Sequence, residues 1–204
     1  MNKFSIRKIL QILYYIQNSI LAISPSKDAI MYFLKILFFA DRYHLRNYGI
    51  TLSGDFYYGM KNGPVASSTY DILHHKLPNT VNSAEGQLLN EIETSGEYTV
   101  YIKPQGDDEL SQSVKEALDF SLSNFGRFSQ FELSDITHEY PEWKKHKDCL
   151  VNDVKRFDIS FAEMFENPYN PEELKKFHIS KDPFEEDEEF LSVMKETYCD
   201  ANAI

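Results

Sequence analysis

The sequence predicts a mostly helical α+β domain, built around a central buried helix with a small antiparallel β-sheet beside it. Three observations carry this. Residues Ile30 to Ala40 are apolar nearly all round a helical wheel, as in a helix covered on most sides. Elsewhere apolar residues recur at spacings of three and four, the mark of amphipathic helices. Only Phe56 to Met60 and Tyr98 to Lys103 read as strands, by their aromatic and β-branched content.

The elements follow in order. Ile6, Ile9, Leu10, Leu13, Ile16, Ile20 and Leu21 give one apolar face to a first helix, Phe4 to about Ile23, which Ser24-Pro25-Ser26 ends. The central helix runs from about Lys27 to Asn47, and Gly49 stops it. Residues 51–55 form a turn before the first strand. Gly63-Pro64 breaks that strand, and Pro64 is predicted near the first position of a new helix that ends at Pro78. A short helix is expected from Ala84 to Ile92. The strand at Tyr98 is expected to pair with Phe56–Met60. Ser113-x-x-Glu116 and Ser129-x-x-Glu132 match the capping box and predict helices of about 113–124 and 130–139. Further short helices start at Pro141, Ser160 and Pro171. From Phe184 to Tyr198 a helical pattern mixes apolar residues with acids, which suggests docking on a surface rather than a core. The expected division is a domain over 1–179 and an acidic tail over 180–204.

The chain has 204 residues, 42% of them hydrophobic, including 15 Phe and 13 Tyr. Such a chain can bury a core without disulfide or metal. Its two cysteines, Cys149 and Cys199, form no metal-ligand spacing; with no signal peptide in view, a reducing cytoplasm is expected. The longest apolar run is too short for a membrane span. Net charge is −11, with residues 1–50 at +5 and residues 180–204 at −6. Apart from the N-terminal stretch no basic patch exists to reward a phosphate backbone, so nucleic acid is not an expected partner. An acidic chain suits a basic protein partner.

Several residues invite chemistry. Asp41 and His44 share a helical face and suit a metal or a base with its orienter; hydrogen bonding at the end of a buried helix is the plainer expectation. His74-His75 and His138-Glu139 are adjacent pairs and point apart. No nucleophile elbow and no phosphate loop is present. Lys61, before a Gly-Pro break, suits an anion or a nearby acid. Trp143, with Tyr140 and His138, reads equally as a protein-binding hot spot or as core with a bonded indole N–H. A helix-turn-helix is disfavoured, because the helix after Pro64 carries a single lysine.

Two stretches, Lys35-Ile-Leu-Phe-Phe-Ala-Asp-Arg-Tyr-His-Leu45 and Ser53-Gly-Asp-Phe-Tyr-Tyr-Gly-Met-Lys-Asn-Gly-Pro-Val65, resemble the Panacea antitoxin domain family, which includes SocA-type proteolytic adaptors and GepA-type phage-associated proteins. Phe128-Ser-Gln-Phe-Glu-Leu-Ser-Asp-Ile-Thr-His-Glu-Tyr-Pro-Glu-Trp143 is similar to its C-terminal signature. The resemblance covers roughly Ile30 to Trp143. It implies a non-enzymatic antitoxin with no cofactor, whose partner is a protein toxin neutralised by direct contact. SocA-type members instead deliver the toxin to an ATP-dependent protease. Some members carry a DNA-binding extension, which a chain beginning almost at the domain is not expected to have. From motif clustering, Asp41, Tyr43, His44, Lys61, Tyr70, His138 and Trp143 are expected around one partner-binding surface, with Gly63, Pro64 and Val65 as a structural motif. The competing expectation from another class is a metal-assisted hydrolase using Asp41 and His44.

Overall fold

A computed structural model describes residues 4–21, 29–79, 81–150, 154–168 and 170–202. The Ser24-Pro25-Ser26 stop and the Lys27 start fall outside them. Helix α1 (Ile6–Leu21) turns its apolar stripe inward, with Ile6, Ile9, Leu10, Leu13 and Ile16 fully buried. Helix α2 (Ile30–Tyr48) is the centre of the molecule, and every residue from Tyr32 to Arg42 is buried. The left-handed Gly49 ends it, its N–H bonding to the Leu45 carbonyl at 2.8 Å, so the expected stop falls where the pattern put it.

Strands β1 (Tyr57–Met60) and β2 (Gly63–Ala66) form an antiparallel hairpin, and β5 (Arg156–Asp158) pairs with the other side of β1. Here the prediction needs correcting: Pro64 does not start a helix but lies in β2, opposite Gly59. The sheet order β2-β1-β5 puts β2 at an edge, where a residue with no N–H is tolerated. The following helix, α3 (Ser67–Leu73), is shorter than expected.

Residues 83–91 are a 3-10 helix leading into β3 (Ile92–Ser95), which pairs with β4 (Thr99–Ile102) in a separate two-stranded sheet. The expected pairing of the Tyr98 strand with Phe56–Met60 is therefore wrong: a nearer strand, joined by a short turn, takes that place. Gln17 of α1 extends this sheet by its side chain, donating to the Ile102 carbonyl at 2.9 Å and accepting from the Ile102 N–H at 2.7 Å.

Helix α4 (Gln112–Phe125) packs along α2, with Phe125 stacked on Phe39 at 3.8 Å. Its cap is Ser111, accepting from the Val114 N–H, and not Ser113, whose hydroxyl is used elsewhere. Helix α5 (Gln130–Thr137) opens with the predicted Ser129–Glu132 box, both reciprocal bonds being present. Helix α6 (Pro141–Lys144) follows, then three 3-10 helices over Lys147–Leu150, Phe161–Phe165 and Pro171–Phe177, and α7 (Glu188–Asn202). Ser160 makes no side-chain cap bond.

The C-terminal region is more deeply built in than its acidity suggested. Phe184, 2% exposed, fills a core slot among Phe39, Phe120, Phe125 and Tyr140. Arg42 and Arg46 hold this region onto α2. Arg42 donates to Glu142 at 2.5 Å and to the Glu166 carbonyl at 2.6 Å, with its guanidinium over the rings of Tyr140 and Phe184. Arg46 donates to the carbonyls of Met164 and Phe184 and to Asn167 Oδ1. No described helix is long and apolar enough to cross a membrane.

Candidate partner-binding site

The Lys61-Asn62 turn joins β1 to β2, and three contacts fix it against α2, α5 and α6. Ser134 Oγ donates to the Asn62 carbonyl at 2.9 Å, and Trp143 Nε1 donates to the Met60 carbonyl at 2.9 Å. Lys35 Nζ, from α2, donates to the Pro64 carbonyl at 2.7 Å. Gly63 is required here twice over. Its φ of +91° lies where L side chains are strained, and a Cβ would stand 2.3 Å from Thr137 Oγ1 and 2.9 Å from Lys35 Nζ.

Beside this hairpin lies a cavity of about 490 Å³, walled by Leu34 and Lys35 of α2, Lys61 of the turn, Val65 of β2, Tyr70 of α3 and Phe131 of α5. That volume is in the range of ligand sites, roughly 300–1,000 Å³. Two large rings stand at it unburied: Phe131 is 67% exposed and Tyr98 66%. No aspartate or glutamate is among the described residues of its lining. Lys35 is 1% exposed and makes no ion pair with any described residue; burial pulls its pKa down to about 7. Lys61 is exposed and also forms no ion pair among the described residues. His138 stacks on Trp143 at 3.7 Å; burial first, then the Lys35 charge, lower its pKa to about 4, so it is neutral at pH 7.

Asp41 and His44 are elsewhere on α2 and are committed separately. Asp41 is fully buried, accepting from the Ser53 N–H at 2.9 Å, the Ser53 hydroxyl at 2.5 Å and the Tyr57 hydroxyl at 2.7 Å. Burial raises its pKa to about 6 against the pull of these bonds. His44 Nδ1 donates to the Ile50 carbonyl at 2.7 Å, which leaves Nε2 to accept from Ser113 at 3.2 Å. Its pKa is lowered by burial. Neither faces a shared ligand position, and no group of three His, Cys, Asp or Glu among the described residues is placed to hold one ion.

The family described as "Antitoxin SocA-like, Panacea domain" matches residues 33–144, more than half of the chain. The chain belongs to this family. Searches of curated proteins and of solved structures returned no match.

In this Panacea domain the seven expected contact residues do not share one surface. Lys61 and Tyr70 line the cavity, and His138 and Trp143 support its hairpin from behind. Asp41 and His44 are internal, while Tyr43 stacks on Phe120 of α4 at 4.1 Å. Trp143 is 9% exposed, with its indole N–H bonded to the Met60 carbonyl. Lys35, Phe131 and Tyr98 were not singled out. A lysine inside an otherwise apolar run was the available signal for Lys35. Asp55, in the expected 51–55 turn, caps α3, accepting from the N–H groups of Ser68 at 3.0 Å and Thr69 at 2.7 Å.

Proposed function

We propose that this Panacea domain is an antitoxin that neutralises a protein toxin by direct contact, acts in the cytoplasm and catalyses no reaction. Family membership over residues 33–144 carries the reading, because that span includes the hairpin and nearly all of the cavity wall. The exposed rings of Phe131 and Tyr98 beside an apolar cavity support it, since aromatic anchors of this kind concentrate binding energy. The exposed free thiols of Cys149 and Cys199 suit a reducing compartment. Of the residues marked by the motifs, Lys61 and Tyr70 are the proposed toxin contacts; His138 and Trp143 hold the hairpin, and Asp41, Tyr43 and His44 hold α2. The acidic region from 180 onward adds to the toxin-facing surface only through its exposed α7 residues.

Co-expression with the product of the adjacent reading frame tests this. Growth arrest by that product alone, relieved by this chain and accompanied by co-purification, is the expected result. Failure to relieve the arrest overturns the reading. Toxin half-life separates the two modes of action, since a steric block leaves it unchanged and delivery to an ATP-dependent protease shortens it.

A further inference from the structure

The described part of α2 holds four buried basic side chains, and three of them have more than one partner within the fold. Arg42 faces Glu142, and Arg46 is surrounded by three carbonyls and Asn167. His44 is bonded at both ring nitrogens. Lys35 differs. Its ammonium has three protons, and the Pro64 carbonyl takes one of them. The side chain forms part of a cavity wall with no acid among its described residues, although the chain carries 32 Asp and Glu against 21 Lys and Arg. Lys61 stands on the same cavity and adds a second cation with no ion pair among the described residues. A buried charge without a counter-ion is costly, and a pocket that keeps one is poised to receive the opposite charge.

The remaining walls define what must accompany that charge. Leu34, Val65, Tyr70 and the exposed rings of Phe131 and Tyr98 offer apolar and aromatic contact. On the reading that this domain binds a protein toxin, we propose that the cavity receives a toxin segment in which an aspartate or glutamate adjoins a bulky apolar side chain. The apolar group fills the space between Leu34, Tyr70 and Phe131. The carboxylate lies between Lys61 at the rim and the Lys35 charge in the wall, where low polarity strengthens the attraction. Charge complementarity selects this occupant: a basic or purely apolar segment would leave Lys35 uncompensated. An acidic chain that keeps a local cationic cavity can also hold an otherwise basic partner in one register.

The probes are two capped peptides, acetyl-Leu-Asp-Phe-amide and acetyl-Leu-Asn-Phe-amide, titrated into the full chain and followed by NMR. The expected result is shifts at Leu34, Val65 and Phe131, with the Asp peptide bound roughly tenfold tighter than the Asn peptide. Lys35→Met, which removes a buried charge and is expected to fold, abolishes that preference; Lys61→Met reduces it. Equal binding of the two peptides, shifts confined to other faces, or an undiminished preference in Lys35→Met overturns the proposal. Co-expression with the toxin keeps its failure distinct from that of the antitoxin reading. If the native chain relieves growth arrest and Lys35→Met and Phe131→Ala relieve it equally well, the cavity is not the docking site and the antitoxin reading stands. If the native chain gives no relief, the antitoxin reading falls and the docking proposal falls with it. Loss of relief in both variants, with their folds intact, supports the proposal.

Discussion

Lys35 and Arg42 lie seven residues apart on α2, two helical turns along one stripe, and both are buried cations. The fold treats them in opposite ways. Arg42 meets a carboxylate, a carbonyl and two aromatic faces, all supplied by residues 140–184. Lys35 meets one carbonyl and an apolar cavity. The C-terminal half of the helix thus uses charge to fasten a distant part of the chain, while the N-terminal half keeps charge that the fold does not neutralise. What separates the two is a counter-ion and not complete hydrogen bonding: Arg42 Nε and Glu142 Oε2 are themselves buried without a partner among the described residues, yet the two side chains carry opposite charges in direct contact.

The strongest way to break this comparison is to give Arg42 the condition of Lys35. Glu142→Leu leaves the guanidinium buried without its carboxylate and is expected to cost roughly 3–5 kcal/mol in urea unfolding. A loss below about 1 kcal/mol would put the two cations in the same class.

Removing the other cation should act in the opposite direction. Lys35→Met relieves an uncompensated buried charge and is expected to stabilise the chain by on the order of 2–4 kcal/mol at pH 7, after allowing for the lost Pro64 bond. In the folded chain Lys35 gives up its proton near pH 7 rather than 10.5, so the unfolded chain binds more protons between those values. The native protein therefore gains stability as pH rises from about 7 toward 10.5, and the advantage of the Met variant fades over the same window. Urea midpoints at pH 6.5 and 9.5 check the sign.

Gly63→Ala sharpens the comparison by disturbing the single Lys35 partner. The added methyl meets Thr137 and Lys35 and strains a φ of +91°, and a cost of roughly 1–3 kcal/mol is expected by thermal unfolding. Ser129→Ala, at the cap of α5, touches neither end of α2. It should cost about 1 kcal/mol and leave the pH dependence unchanged, so it provides the baseline.

Much of the scaffold was legible in the residues. The all-round apolar run of α2, the Gly49 stop and the Ser129–Glu132 box are local signals, and each has its expected geometry. What was misread depends on distant neighbours. Proline's fixed φ suits both a first helical turn and an edge strand, so Pro64 was ambiguous until the order of the sheet was known. The three-residue β5 is too short to show alternation, and β3 presents polar Glu93, Thr94 and Ser95 to solvent. Phe184 sits amid acids and lacks a periodic context, yet Arg42, Arg46 and Tyr140 draw its segment inward.

The candidate site was half visible for the same reason. Lys61 and Tyr70 belong to motifs that stand out along the chain, and both reach the cavity. The motif around Asp41 and His44 stands out equally, but its polarity is consumed internally by Ser53, Tyr57, Ile50 and Ser113. A lone lysine in an apolar run marks Lys35 in the sequence, but whether it has a counter-ion is a property of the folded neighbourhood.

The most direct measurement is an NMR titration of the Lys35 ammonium in the full chain, assigned against Lys35→Met. Lys61 and Tyr70 line the same cavity, and His138, at the end of α5, stays neutral throughout the window. The account predicts a midpoint of about 7 in the free protein and a rise of more than one pH unit when the Asp peptide is bound. A free midpoint near 10.5, or one that the peptide leaves unmoved, would contradict it.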